Sequence, residues 1–121
     1  MTKKCIFNPP CKGEIHSEAK WCKYCENYQD SYEPQFRNVI DRLIEYREII
    51  SEAWLKEELY VSRSKDIAEF EKIIKELKDS NVIGQYDNKK DIIPVLISNE
   101  KLLSIKRNRL DENGLVRGII F

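Results

Sequence analysis

Four cysteines stand within the first 25 residues, at Cys5, Cys11, Cys22 and Cys25, and none follows. A segment this short cannot bury enough apolar surface to fold alone, so its thiols must supply the cross-links. Two kinds are available, disulfide and metal. The opening MTKKCIFNPPC lacks an apolar run of the secretory kind, and no stretch of about 18 apolar residues follows it. The expected compartment is therefore the cytoplasm, where disulfides do not persist and clustered thiolates point to metal or catalysis. Zinc closes its tetrahedron with four thiolates, and the two-residue gap of Cys22-Lys23-Tyr24-Cys25 lets both sulfurs of a tight turn reach one ion. A redox role for this Cys-x-x-Cys lacks the βαβ surroundings it needs. Gly13, two residues after Cys11, suits a knuckle with positive φ. Residues 13–21, GEIHSEAKW, are expected to form a short hairpin between the two halves of the site.

The positions Cys11, Ile15, Ala19, Lys20, Trp21, Cys22 and Cys25 resemble the short zinc-ribbon pattern. In it a Cys-Gly knuckle leads to a polar-Ile pair, a small turn and then Ala-Lys-aromatic-Cys-x-x-Cys. The resemblance covers residues 5–26. It departs from the pattern in its first pair, which is Cys-x5-Cys with Asn8-Pro9-Pro10 inside it, and in Lys12, which stands between Cys11 and Gly13. It implies a structural zinc held by Cys5, Cys11, Cys22 and Cys25, in a ribbon that serves as a staple or as a docking pad for protein or nucleic acid. The wider first loop leaves His16, the only histidine, as an alternative to Cys5. The four-cysteine set is preferred because it already closes the site. Trp21 and Tyr24 are expected to tie the ribbon to the body.

The remainder reads as α+β, so the expected layout is a zinc ribbon over 1–30, then a two-helix hairpin and a small antiparallel sheet over 31–121. Ser31 and Pro34 open a helix. From there to about Leu59 no glycine or proline intervenes, and Phe36, Val39, Ile40, Leu43, Tyr46, Ile50, Ala53 and Trp54 recur at helical spacing. Ile44, Ile49, Leu55 and Leu59 fall outside this stripe, making an apolar arc wider than one packing face needs. Such a helix either packs against two layers or offers a face to a partner or a second copy, with Ile44, Trp54 and Leu55 as the contacts in the latter case. Arg47 lies in the stripe and must snorkel or find a carboxylate. Asp66 and Glu69 form a capping box for a second helix. Its seam is Ile67, Phe70, Ile74 and Leu77, and Glu71–Lys75 and Lys72–Glu76 are expected as exposed pairs. Asn81 and Gly84 supply its stop. DIIPVLIS reads as a strand held to an edge or bulge by Pro94. LLSIKRNRL and LVRGIIF read as strands joined by a DENG turn. The final Ile119, Ile120 and Phe121 are expected to tuck into the core.

Charge narrows the function. Lys plus Arg number 21, as do Asp plus Glu. This neutral total argues against a protein that works by gripping phosphate backbone. The balance is uneven, with seven acidic and four basic residues over 33–60, and five basic and three acidic over 99–121. No phosphate-cradling glycine loop, no Ser-His-Asp set and no second histidine is present. The expectation is a non-enzymatic zinc-binding interaction module, a small regulator or inhibitor that docks on a larger protein machine. The alternative is direct nucleic-acid binding through Lys20, Lys23, Lys106, Arg107 and Arg109.

Overall fold

The computed structural model of this protein describes residues 1–120. Strand β1 (Thr2–Lys4) pairs antiparallel with β2 (Glu14–His16), with Lys3 opposite Ile15. Alternation decides which face is inside: Ile15 is buried beside the cysteines, while Glu14 and His16 face solvent. The hairpin expected within residues 13–21 is thus replaced by pairing with the N-terminal strand. Trp21 bridges to Tyr28 instead.

Helix α1 (Tyr32–Tyr46) buries Phe36, Val39, Ile40 and Leu43, at the spacing of one helical face. It stops twelve residues or so short of the expected end. Arg47 takes a left-handed conformation (φ 61°) and its amide donates to the Leu43 carbonyl at 3.0 Å. The chain then runs through β3 (Glu48–Ile49). It restarts as α2 (Glu52–Glu58), whose N-cap Ser51 accepts a hydrogen bond from the Trp54 amide at 3.0 Å. The β-branched pair Ile49-Ile50 followed by a serine is the local signal for this break. Among the described residues Arg47 forms no ion pair with a carboxylate. Its guanidinium donates to the Asn99 side-chain oxygen and to the Ile97 carbonyl, both at 2.8 Å.

This break explains the apolar width. Ile49 and Leu55 belong to other elements and are wholly inside the core, so Leu55 is not a surface contact. Ile44 and Trp54 are half-buried against the same core. The two faces of one long helix are in fact the inner faces of three separate pieces.

Helix α3 (Ser64–Asp79) buries Phe70, Ile73, Ile74 and Leu77. Asp66 sits in its first turn rather than at its cap, and Glu69 accepts from the Ser31 hydroxyl at 2.8 Å, so no capping box forms. Asn81 ends this region at positive φ (58°). Strand β4 (Ile93–Pro94) pairs antiparallel with β3, and Ile83 bridges to Val95. LLSIKRNRL is not a strand. It forms α4 (Asn99–Asn108), capped by the Ser98 hydroxyl, which accepts from the Lys101 amide at 3.3 Å. Leu102 and Ile105 are its buried residues. The alternation of Leu103 and Ile105 suggested a strand, but the helical repeat Leu102-Ile105-Arg109 is the one that faces the core. The DENG turn survives as a small loop. The Asp111 carboxylate accepts from the Asn113 and Leu115 amides, and Leu110 bridges to Val116. Ile119 packs against the core and Ile120 is exposed; Phe121 lies outside the described residues.

Helix α1 packs on both α3 and α4. Where the three meet lies Arg109, only 3% exposed. Its guanidinium donates to both Glu33 oxygens, at 2.9 and 3.1 Å, and to both Glu76 oxygens. The Phe36 ring lies 4.1 Å from it, and the Tyr32 hydroxyl donates to Glu76 at 3.1 Å. Burial works against the Arg109 charge, but hydrogen bonds and attraction from Glu33 and Glu76 outweigh it and raise its pKa. Burial, then the Glu76 charge, also drives the Tyr32 phenol upward. Glu76 is therefore drawn inward to Arg109 rather than paired with Lys72. Removing the guanidinium would leave Glu33 buried and unpaired. Arg109→Ala is expected to cost about 3–5 kcal/mol in a denaturant melt. Arg107→Ala, at an exposed site two residues away, should stay within about 0.5 kcal/mol.

Candidate metal centre

Two knuckles bring the four sulfurs together. In the first, the Asn8 amide donates to the Cys5 carbonyl and the Cys11 amide to the Phe7 carbonyl, both at 3.0 Å, which folds the x5 loop back on itself. Asn8–Pro9 and Pro9–Pro10 are cis within this loop. In the second, the Glu26 amide donates to the Cys22 carbonyl at 2.8 Å, and Glu26 takes positive φ. Gly13 is needed for a reason other than the expected one. Its φ is not positive; instead, a Cβ there would stand 2.3 Å from the Tyr24 ring.

The four Sγ atoms lie within 4.8 Å of one another, with Cys5–Cys25 at 3.5 Å and Cys11–Cys22 at 3.8 Å. Thiolates about 2.3 Å from a tetrahedral ion stand about 3.8 Å apart. The cysteines are free rather than disulfide-bonded, and the group could hold a metal ion. Cys5 and Cys22 are buried, and Ile15 and Ala19 close the apolar side.

Gln29, which carries no motif of its own, is the residue that sequence reasoning missed. It is buried, its side-chain nitrogen donates to Cys5 Sγ at 3.4 Å and to the Asn27 carbonyl at 3.2 Å, and its oxygen accepts from the Ile6 amide at 3.0 Å. The Phe7 amide also donates to Cys5 Sγ, at 3.4 Å. Such donors favour a thiolate and orient it toward an ion. Hydrogen bonding from the Asn27 side chain, aided by the Cys5 and Cys22 thiols against the opposing effect of burial, brings the Cys25 thiol down to about 7. At Cys11 the Gly13 amide pulls the other way from burial and the three thiol neighbours, which prevail and push it up to about 11.

His16 is exposed on β2, and its Nδ1 accepts from the Glu18 amide at 3.1 Å. Among the described residues it is not part of the sulfur group. Tyr24 is exposed, over Gly13 and near Lys23, so it caps the knuckle rather than reaching the body. Trp21 does reach it. The Lys20 amide donates to the Gly114 carbonyl at 2.7 Å, and a Cβ on Gly114 (φ 78°) would stand 2.2 Å from the Trp21 carbonyl oxygen. The loop after α4 therefore locks onto the ribbon.

Three of the five candidate basic residues are engaged with carboxylates of the chain. Lys20 pairs with Asp30 at 3.0 Å, Lys106 with Asp41 at 2.6 Å, and Arg109 is buried between Glu33 and Glu76. Lys23 donates to Asn113 at 3.4 Å, and Arg107 is exposed. Among the described residues no helix is long and apolar enough to cross a membrane. No protein-family model, curated protein or solved structure matches the chain.

The sulfur geometry sets a direct check on the ligands. Cys5→Ala and Cys22→Ala should lower metal retention equally on gel filtration with metal analysis, whereas His16→Ala should retain the wild-type stoichiometry. Gln29→Ala should keep the ion but weaken its affinity by about 10-fold or more in a chelator competition.

Proposed function

We propose that this chain is a zinc-stapled, non-enzymatic interaction module of the cytoplasm, a small regulator or inhibitor that docks on a larger protein machine. The observation that carries the metal reading is the convergence of four cysteine sulfurs at tetrahedral separations. An all-sulfur set suits zinc, and with four protein ligands no position stays open for substrate, which is the arrangement of a structural site. The zinc then holds β1, β2 and the two knuckles in one piece, and through Gly114 it presents that piece rigidly to the helical body.

Protein is favoured over nucleic acid as the partner because of where the cations go. Of the five basic residues that would grip phosphate, Lys20, Lys106 and Arg109 are engaged with carboxylates of the chain itself. Their charge is neutralised before any phosphate arrives. Meanwhile Ile6, Phe7, Tyr46, Ile50, Tyr60 and Leu96 are large apolar side chains left at the surface, the kind that anchor protein interfaces.

Purified protein is expected to carry about one zinc per chain, and X-ray absorption should show four sulfurs and no nitrogen in its coordination sphere. Fluorescence anisotropy with generic DNA and RNA probes at about 50 mM salt should show no binding. A steeply salt-dependent shift would replace the protein-docking reading with the nucleic-acid one.

A further inference from the structure

Helix α2 and the residues after it carry a surface that the metal reading does not use. Three aromatic residues lie on or beside α2. The Tyr46 and Trp54 rings are 5.0 Å apart, edge to face at 76°. Tyr60 follows α2 at positive φ (55°) and is 90% exposed. Trp54 and Tyr60, together with Glu57 and Glu58, line a surface depression of about 220 Å³.

Two rings and two carboxylates make an unusual lining. Aromatic faces carry the negative part of the ring quadrupole and attract a cation within about 6 Å. Carboxylates add full negative charge and accept only. An anion is repelled by such a site. A neutral apolar group would strip water from two carboxylates without giving them a partner. Arg42 lines a neighbouring depression with Glu58 and Tyr60, but the cations around this site make their ion pairs with other carboxylates. Lys56 turns toward Glu71 at 4.0 Å and the Phe70 ring at 5.7 Å, Arg42 pairs with Glu45 at 3.2 Å, and Lys78 pairs with Glu52 at 2.8 Å. Among the described residues no lysine or arginine forms an ion pair with Glu57 or Glu58. Burial first, and then the Glu45 and Glu58 charges, raise the pKa of the Tyr46 phenol.

We propose that this depression receives an arginine side chain from a basic segment of the partner protein. A guanidinium is planar, stacks on an indole or phenol face, and offers its edge as a fork of donors to carboxylates. The lining presents both kinds of surface side by side. The proposal rests on the reading of the chain as a protein-docking module and adds the chemistry of what is docked.

The probe is an acetylated, amidated tetra-arginine peptide titrated into the zinc-loaded full chain, followed by ¹H–¹⁵N NMR. The Trp54 indole N–H and the Tyr60 amide should shift and saturate. The same peptide with citrulline in place of arginine should leave them still. Glu57→Gln combined with Glu58→Gln should weaken binding about tenfold, and Tyr60→Ala about two- to fivefold. Both variants should keep the wild-type zinc content and dispersed spectra, since both sites are on the surface. Equal shifts with the citrulline peptide, or equal affinity for the double variant, overturn the arginine site. Saturable shifts elsewhere on the surface with Trp54 unmoved also overturn it, and leave the protein-docking reading standing.

Discussion

Arg109 is the point on which the body of this protein closes. It follows α4 directly, it is sealed from water, and it holds a carboxylate from α1 and another from α3 on one guanidinium. A buried pair of this kind gives little net stability relative to an apolar core of the same shape, because desolvation offsets most of the attraction. What it supplies is geometry. Glu33 and Glu76 are both satisfied only when the three helices meet in one register, and Phe36 lies under the guanidinium plane at 4.1 Å as its floor. The next residues form the Asp111–Leu115 loop, so the same junction fixes where Gly114 meets the ribbon.

The ribbon depends on that junction in turn. Its apolar content is small: Ile15, Ala19 and the buried faces of the cysteines are nearly all it has. Four cysteine sulfurs that could share a metal ion stand where a larger core would be, and Gln29 and the backbone amide of Phe7 donate to the sulfur of Cys5. The contact between Gly114 and the Trp21 carbonyl tolerates no side chain, so ribbon and body are fitted along a line of close backbone approach.

The middle of the chain has a different logic. Between Tyr46 and Ser51 the backbone turns without glycine or proline, and the turn is held by Arg47 reaching to the start of α4. Here a cation on a helix stripe serves as a strut between elements. It lets Ile49 enter the core through β3 and lets Leu55 enter through α2. The surface that remains at this corner is aromatic and acidic, which is the character the charge count over residues 33–60 already indicates.

The gathering of the four cysteines into a group that could hold a metal was legible in the sequence because thiolates have few roles and their spacing is local. Each pair of cysteines lies within one knuckle, and a tetrahedral ion needs little more than that. The α+β class was legible for the same reason, since the faces of α1 and α3 repeat at helical spacing within a single element. The rest was decided by contacts between residues far apart in the chain. The break after Tyr46 has a local signal in Ile49-Ile50 and Ser51, but Arg47 secures it through partners some fifty positions on. LLSIKRNRL is a helix because Leu102, Ile105 and Arg109 together fit a junction built by α1 and α3, although a strand alternation runs through the same letters. Arg109 reads as a surface cation, and only the arrival of Glu33 and Glu76 makes it a core residue. Local chemistry is written in neighbouring residues, whereas burial is a property of the assembled chain, and charge follows burial.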